Sequence, residues 1–117
     1  MPHLTVYEKP TCTTCRTLAA LLQERGIDFE RVDYHVDPLP EAKIRELLAK
    51  AGITAREALR RKEPLVAELG LDRDDVTDDE IVRAMAEHPV LLERPIVERG
   101  GRAVLARPVE RVTQLLG

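Results

Sequence analysis

Aromatic side chains are scarce in this sequence: they make up 3% of its 117 residues, with no Trp and one Phe. Single-stranded nucleic acids are usually bound by stacking their bases on aromatic side chains, so a site of that kind is not expected. The net charge of -3 provides no excess of positive charge to attract phosphate backbones or anionic lipid. The sequence therefore predicts no direct nucleic-acid partner and no membrane partner.

Long hydrophobic runs are also missing. No stretch approaches the roughly 20 apolar residues of a membrane-spanning helix, and the N-terminal MPHLTVYEKP lacks the basic and apolar regions of a signal peptide. We therefore expect a cytoplasmic protein. Thiols stay reduced in that compartment, so the only two cysteines, Cys12 and Cys15, are better candidates for redox or metal chemistry than for a structural disulfide.

The N-terminal third of the sequence predicts a β-α-β unit. Alternating apolar residues indicate strands over 3–7 and 27–36, and leucines at helical spacing indicate a helix over 12–25 that ends at Gly26. The unit has the length of a crossover connection between two parallel strands.

The rest of the chain predicts helices followed by a hairpin and a last helix. Three helical patterns lie within 40–92, namely PEAKIRELLAKAG, TAREALRR and TDDEIVRAMAEH, and Thr77 with Glu80 forms a capping-box signature. RPIVER and RAVLAR flank a Gly-Gly turn, and PVERVTQLLG closes the chain as a short helix. We expect one α/β domain over 1–117 with a thioredoxin-like mixed sheet (β-α-β … β-β-α) and a helical insertion at about 40–92.

The two cysteines are separated by two residues, in CTTC, where the first strand gives way to the first helix. A helix that starts near Thr11 places Cys12 in its first turn, where free N–H groups and the helix dipole lower a thiol pKa. Arg16, one turn later, adds positive charge to this predicted site. Cys15 lies on the same helix face and is close enough to form a disulfide with Cys12.

Three further roles are conceivable for the cysteine pair, and each is less favoured. A zinc site needs about four ligands, which would have to include His3, His35, His88 or carboxylates. A structural disulfide that closes so short a loop adds little to the stability of the fold. In the third role, both cysteines are unreactive small residues packed at the helix start. Redox or nucleophilic chemistry is favoured because a strand, a C-x-x-C motif and a helix follow one another.

Several segments together resemble one protein family. They are VYEKPTCTTCR, ITAREALRRKEP, LGL, TDDEIVRAMAEHPVLLERPIV and VLARP, and they span nearly the whole chain. The sequence is similar to the arsenate reductase (ArsC-like) family of the thioredoxin fold, which also contains the Spx-type regulators.

The resemblance implies roles for particular residues. Cys12 matches the family's nucleophile, and Arg60, Arg94 and Arg107 match three arginines that bind the oxyanion substrate, arsenate. From composition alone Arg60 would be a solvated surface residue. Pro95 matches a cis proline of thioredoxin-like proteins, so we predict a cis Arg94–Pro95 bond.

The sequence does not identify the electron donor, because the chain differs from the glutathione-linked reductases at the active-site loop. Those enzymes have Ser at the position of Cys15 and a His-Asn pair where this chain has Glu8 and Lys9. Electrons would come either from glutathione with glutaredoxin, or from Cys15 with thioredoxin reducing the resulting disulfide. We expect no bound cofactor, no metal and a monomer.

The function expected from the resemblance is thiol-dependent reduction of arsenate to arsenite. Two alternatives remain, and both use the same cysteine pair. One is an Spx-like redox-sensing transcriptional regulator that binds RNA polymerase, and the other is a general thiol-disulfide oxidoreductase.

Overall fold

The computed structural model describes residues 3–116, and its first three elements form the predicted β-α-β unit. Strand β1 spans Leu4–Glu8, helix α1 spans Thr13–Glu24 and strand β2 spans Phe29–Asp33. The two strands pair in parallel. Gly26 ends α1 with φ +66°, a left-handed conformation that a residue with a side chain rarely adopts.

A C-terminal hairpin completes a four-stranded mixed sheet of order β2-β1-β3-β4. Its strands are β3, Ile96–Arg99, and β4, Arg102–Leu105, which pair antiparallel around the Gly-Gly turn. Strand β3 also runs antiparallel to β1. The mixed sheet with a β-α-β unit and a terminal hairpin agrees with the fold expected from the sequence.

Four α-helices lie between β2 and β3, one more than the sequence predicts, and a 3-10 segment at Pro89–Leu91 follows them. They are α2 (Glu41–Ala51), α3 (Ala55–Ala58), α4 (Pro64–Glu68) and α5 (Asp78–Glu87). Helix α4 falls in a segment that the sequence pattern leaves without a helix. It begins at Pro64, which is tolerated there because the first N–H groups of a helix have no partner within it.

The helix ends differ from prediction in two places. Thr54 and Glu57 form a full capping box at α3, whereas the one predicted at Thr77 is only half formed. The Thr77 hydroxyl accepts from the Glu80 N–H at 3.1 Å, but the Glu80 carboxylate pairs with Arg73 at 2.9 Å. The Glu80 carboxylate therefore pairs with Arg73 and does not complete the capping box at Thr77.

The predicted C-terminal helix is divided. A 3-10 segment at Val109–Val112 precedes helix α6, Thr113–Leu116, and Pro108 lies just before the segment rather than within its first turn. Gly117, the last residue of the predicted helix, lies outside the described residues. None of the helices described between residues 3 and 116 is long and apolar enough to cross a bilayer.

The sheet separates two apolar clusters. Leu4 and Val6 of β1 face α1 and the C-terminal helical segment, while Tyr7 faces the inserted helices. This alternation is that of a strand buried on both faces. The first cluster consists of Leu4, Val6, Leu18, Leu22, Val97, Val104, Ala106, Val112 and Leu115.

Glu98 of β3 joins helix α2 to the sheet through hydrogen bonds. Its carboxylate accepts from the Tyr7 hydroxyl at 2.7 Å, from Lys43 at 3.1 Å and from Lys50. Burial alone would raise the pKa of Glu98, but the hydrogen bonds from Lys50, Tyr7 and Lys43 outweigh it and lower the pKa to about 2. The ionised carboxylate therefore stabilises the folded state.

The substitution Glu98→Gln is expected to reduce the free energy of unfolding by about 1 to 2 kcal/mol near neutral pH. The folded-state pKa lies below the unfolded value of about 4.3, so this contribution is present above that value and is lost as pH falls toward 2. Urea unfolding of wild type and variant at about pH 6 and about pH 3 measures the difference. Glu24→Gln, at an exposed position, is the control. A difference that is equal at both pH values would contradict the prediction.

Candidate active site

Cys12 lies at the start of α1, as the N-cap residue rather than in the predicted first turn. Its backbone is extended (φ -77°, ψ 126°), and its sulfur accepts a hydrogen bond from the Cys15 N–H at 3.4 Å. An N-cap side chain satisfies one of the unpaired N–H groups at a helix start. A thiolate is favoured there because the positive end of the helix dipole stabilises negative charge.

The pKa of Cys12 is lowered from its ordinary value. Burial acts to raise it, but hydrogen bonds from the Cys15 side chain and backbone, together with the Arg94 guanidinium, outweigh burial. The thiolate is the nucleophilic form of cysteine. Cys12 therefore has the electrostatic setting of a reactive thiol.

Cys15 lies in the opposite kind of environment. Its side chain is fully buried on the inner face of α1. Burial raises its pKa to about 12, with further contributions from Cys12 and Glu8, and the Lys9 N–H opposes the shift. Both cysteines are free thiols. The structure thus pairs a thiol that ionises readily with a neighbour that stays protonated.

Cys12 opens onto a cavity of about 300 Å³ that contains the three predicted arginines. Five of the lining side chains are cationic, so the cavity is suited to an anion. The lining residues are Lys9, Thr11, Cys12, Thr13, Thr14, Arg60, Lys62, Arg94 and Arg107.

Arg60 reaches the cavity because α3 ends earlier than predicted. Leu59 has extended backbone and forms a β-bridge with Leu92, and the Arg60 N–H donates to the Leu91 carbonyl at 2.7 Å. This bridge ties the segment to the chain just before β3. The Arg60 side chain is 13% exposed, so it is not the solvated surface residue that composition favours.

Arg94 and Arg107 enter the cavity from the two ends of the hairpin. The predicted cis Arg94–Pro95 bond is confirmed, and the Arg107–Pro108 bond is also cis. Arg94 is only 5% exposed, and its Nε is buried without a hydrogen-bond partner among the described residues. The Arg107 Nη1 donates to the Arg94 carbonyl at 2.9 Å. A buried guanidinium N–H without a partner is a candidate for binding an anionic ligand.

Glu93 positions two of these arginines. Its Oε1 accepts from Arg60 Nη1 at 2.9 Å, and its Oε2 lies 3.8 Å from Arg107 Nε. Glu63 accepts from the Arg60 Nε at 3.1 Å. The two carboxylates fix the direction of the guanidinium groups and leave the cavity with an excess of positive charge.

Arg16, which the sequence places in the substrate site, lies elsewhere. Its side chain is exposed on α1, outside the group of residues that line the cavity. Its backbone N–H donates to the Cys12 carbonyl at 3.0 Å, so Arg16 contributes to the helix start rather than to the cavity. Within residues 3–116, no three His, Cys, Asp or Glu side chains are grouped so that they could hold a metal ion.

Comparison with known proteins places this arrangement in a family. The model of the ArsC family matches residues 7–115. The chain belongs to the ArsC family. It is 39% identical to an arsenate reductase of Neisseria meningitidis, over 99% of this chain and 100% of the relative. It is 38% identical to an arsenate reductase of Rhizobium meliloti, over 97% of this chain and 81% of the relative.

A solved structure agrees with this assignment. The arsenate reductase from Vibrio cholerae superposes with a TM-score of 0.92 at 35% identity, and the match covers 97% of each chain. This ArsC-family chain therefore has the thioredoxin-like α/β fold expected from the sequence.

Several residues of the site in this ArsC-family protein are absent from the set predicted from sequence, and the charged ones among them are Lys9, Lys62, Glu63 and Glu93. Lys9 and Lys62 line the cavity, and Glu93 holds two arginines. Lys9 adjoins the cysteine motif, so its place in the sequence was an available signal. Lys62 and Glu93 also lie beside predicted residues, Arg60 and Arg94, but their contacts in the site join segments that are distant in sequence.

Proposed function

We propose that this protein reduces arsenate to arsenite, with Cys12 as the nucleophile and Arg60, Arg94 and Arg107 as the oxyanion site. One observation carries the proposal: a thiol whose pKa is lowered lines the same cationic cavity as all three arginines. The relatives named arsenate reductase support arsenate as the substrate.

Arsenate binding follows from the donors in the cavity. Arsenate is a tetrahedral oxyanion, and guanidinium groups donate paired, charge-assisted hydrogen bonds to such oxygens. The buried Nε of Arg94 is one donor available for this purpose. Arg60 and Arg107 neutralise further oxygens and are held in place by Glu93.

The first chemical step is attack of the Cys12 thiolate on arsenic. A sulfur–arsenic bond forms, and one arsenate oxygen takes up protons and leaves as water. The arginines stabilise the negative charge of the remaining oxygens during this step.

Reduction occurs when a second thiol attacks the Cys12 sulfur, and we propose that this thiol is Cys15. A Cys12–Cys15 disulfide forms, the sulfur–arsenic bond breaks, and arsenic keeps the electron pair and leaves as arsenite. The two thiols are oxidised by two electrons in total. An external dithiol of the thioredoxin or glutaredoxin type then reduces the disulfide.

The setting proposed for this cycle is a cytoplasmic monomer. A disulfide that must be reduced after every turnover requires a compartment that maintains reduced thiols. Cys12 and the three arginines line one cavity within a single chain, so the proposed cycle takes no residue from a second copy.

The test is an NADPH-coupled arsenate reduction assay that supplies the thioredoxin system and the glutathione–glutaredoxin system separately. Wild type is expected to turn over with at least one system. Cys15→Ser is expected to lose turnover with thioredoxin by about 100-fold or more, because no internal thiol resolves the arsenic adduct.

The outcomes of this assay separate the routes. Cys15→Ser that retains full turnover with every system that wild type uses would refute the internal route, and retained turnover with glutathione and glutaredoxin would show that glutathione can resolve the adduct. No arsenate turnover by folded wild type with either system would refute the proposed function. Rapid formation of the Cys12–Cys15 disulfide in that case would indicate a thiol-disulfide oxidoreductase with another substrate.

A further inference from the structure

The step in which arsenate loses an oxygen requires a proton donor in the cavity. The Cys12 sulfur displaces a hydroxyl group from arsenic, and a hydroxyl group leaves readily only when a proton converts it to water during the step. A side chain that supplies this proton must line the cavity onto which Cys12 opens. The lining residues other than Cys12 are Lys9, Thr11, Thr13, Thr14, Arg60, Lys62, Arg94 and Arg107.

Most of these lining side chains are unable to supply a proton. Arginine does not lose its proton in proteins, so Arg60, Arg94 and Arg107 bind oxygens but do not act as acids. Threonine is not among the side chains that serve as general acids, whereas lysine is. Among residues 3–116, no Asp, Glu, His or Tyr lines this cavity. The two lysines are therefore the candidate acids.

The acidic groups that neighbour the cavity lie outside its lining. Glu63 and Glu93 accept hydrogen bonds from Arg60 at 3.1 Å and 2.9 Å. Cys15 is fully buried on the inner face of α1 and is the thiol that attacks in the later step. These groups are not placed to reach an oxygen that leaves from arsenic.

Lys9 is held close to the nucleophile by its backbone. Its carbonyl accepts a hydrogen bond from the Cys12 N–H at 2.9 Å, which closes a turn of four residues. Pro10, the second residue of that turn, restricts its own backbone and also that of Lys9. The Lys9 side chain therefore starts from a fixed position relative to Cys12.

The Lys9 ammonium is also free of other partners. Among residues 3–116, the lysines that form ion pairs are Lys43 and Lys50, whereas Lys9 and Lys62 form none. Lys62 is exposed, and its segment is distant in sequence from Cys12, whereas Lys9 is half-buried. Charged groups interact more strongly where water is partly excluded, which favours Lys9 as the donor.

We propose that Lys9 is the general acid of the first step and donates a proton to the arsenate hydroxyl that leaves. The inference rests on the proposed function, because the leaving group belongs to arsenate. The bond between the Cys12 sulfur and arsenic forms while the bond to the departing hydroxyl breaks, and the Lys9 proton turns that hydroxyl into water. Arsenic stays pentavalent and no electrons are transferred in this step. The neutral Lys9 amine then regains a proton from solvent.

Lys9→Arg separates proton donation from positive charge. Arginine keeps the charge but has no transferable proton, so kcat in the coupled arsenate assay is expected to fall by about 100-fold. The inhibition constant of phosphate, an unreactive oxyanion of the same shape, should stay at its wild-type value. Alkylation of Cys12 by iodoacetamide should keep its rate, because iodide leaves without a proton. Lys50→Arg, on α2, is the matched control and should retain wild-type kinetics.

Chemical rescue supplies the missing proton from outside. Lys9→Ala is expected to lose at least as much of kcat as Lys9→Arg does. Methylammonium chloride should restore part of this loss, because the small ion enters the space left by the side chain and carries a transferable proton. Tetramethylammonium chloride at the same ionic strength has the charge but no such proton, and it should not restore kcat.

Three results would overturn the proposal. The first is a wild-type kcat in Lys9→Arg, since positive charge would then be sufficient. The second is a larger loss of kcat in Lys62→Arg than in Lys9→Arg, which would assign the proton to Lys62. The third is equal rescue of Lys9→Ala by the two ammonium ions. Folded wild type that turns over no arsenate would refute the proposed function together with this inference, so the wild-type measurement distinguishes the two failures.

Discussion

Replacing Cys12 by serine is expected to abolish arsenate reduction with either reductant system, a loss of at least about 1,000-fold. The hydroxyl of serine stays protonated in the setting that ionises a thiol, and oxygen forms no disulfide that could release arsenite. Cys12 is the half-exposed sulfur at the helix start, whereas Cys15 is fully buried. Cys15 is therefore not placed to replace Cys12 as the nucleophile.

The measurement is the coupled arsenate assay, with Thr17→Ser as the control at an exposed position of α1. Circular dichroism is used to check that both variants fold. Alkylation by iodoacetamide gives a second readout. Because the pKa of Cys12 is lowered, its alkylation in Cys15→Ser should reach its maximum rate at lower pH than an ordinary thiol does. Turnover that survives in Cys12→Ser would exclude Cys12 as the nucleophile.

The β-α-β unit and the hairpin were predictable because their signals are local. Alternating apolar residues, leucines at helical spacing and glycines at turns lie within a few residues of one another. Helix α4 was missed because its five residues, Pro64–Glu68, are too few to show a helical period. Helix α3 is shorter than predicted because the Leu59–Leu92 bridge ends it. That bridge joins segments more than 30 residues apart, which no local pattern describes.

The site was predictable only in part, because most of its contacts join segments that are distant in sequence. The cysteine pair lies in one short motif whose position in the fold follows from the neighbouring strand and helix. The three arginines were assigned by family resemblance, since spacing alone does not bring them together. Arg16 was placed in the site by its distance of one turn from Cys12. Cys12, however, is the N-cap and lies outside the helical turns, so the usual spacing rule does not put the two side chains on one face.

Replacing Arg94 by lysine is expected to reduce kcat/KM for arsenate by about 100-fold to 1,000-fold. Lysine keeps the positive charge but lacks the fork of guanidinium donors, including the buried Nε. The loss should therefore appear both in KM and in kcat, because Arg94 is proposed to contact arsenate oxygens in the bound state and in the transition state. Arg83→Lys, at an exposed position of α5, is the matched control and should retain wild-type kinetics.

The pH dependence of Cys12 alkylation distinguishes two roles proposed for Arg94, which are to bind arsenate and to lower the pKa of Cys12. Its guanidinium helps to lower the pKa of Cys12, so Arg94→Met should shift the alkylation profile to higher pH, whereas Arg94→Lys should shift it less because a charge remains. If kcat/KM falls in both variants while the pH dependence of Cys12 alkylation is unchanged in both, Arg94 binds arsenate but does not activate the Cys12 thiol. If kcat/KM is unchanged in Arg94→Lys, charge alone is sufficient, and the buried guanidinium donors are not what recognises the oxyanion.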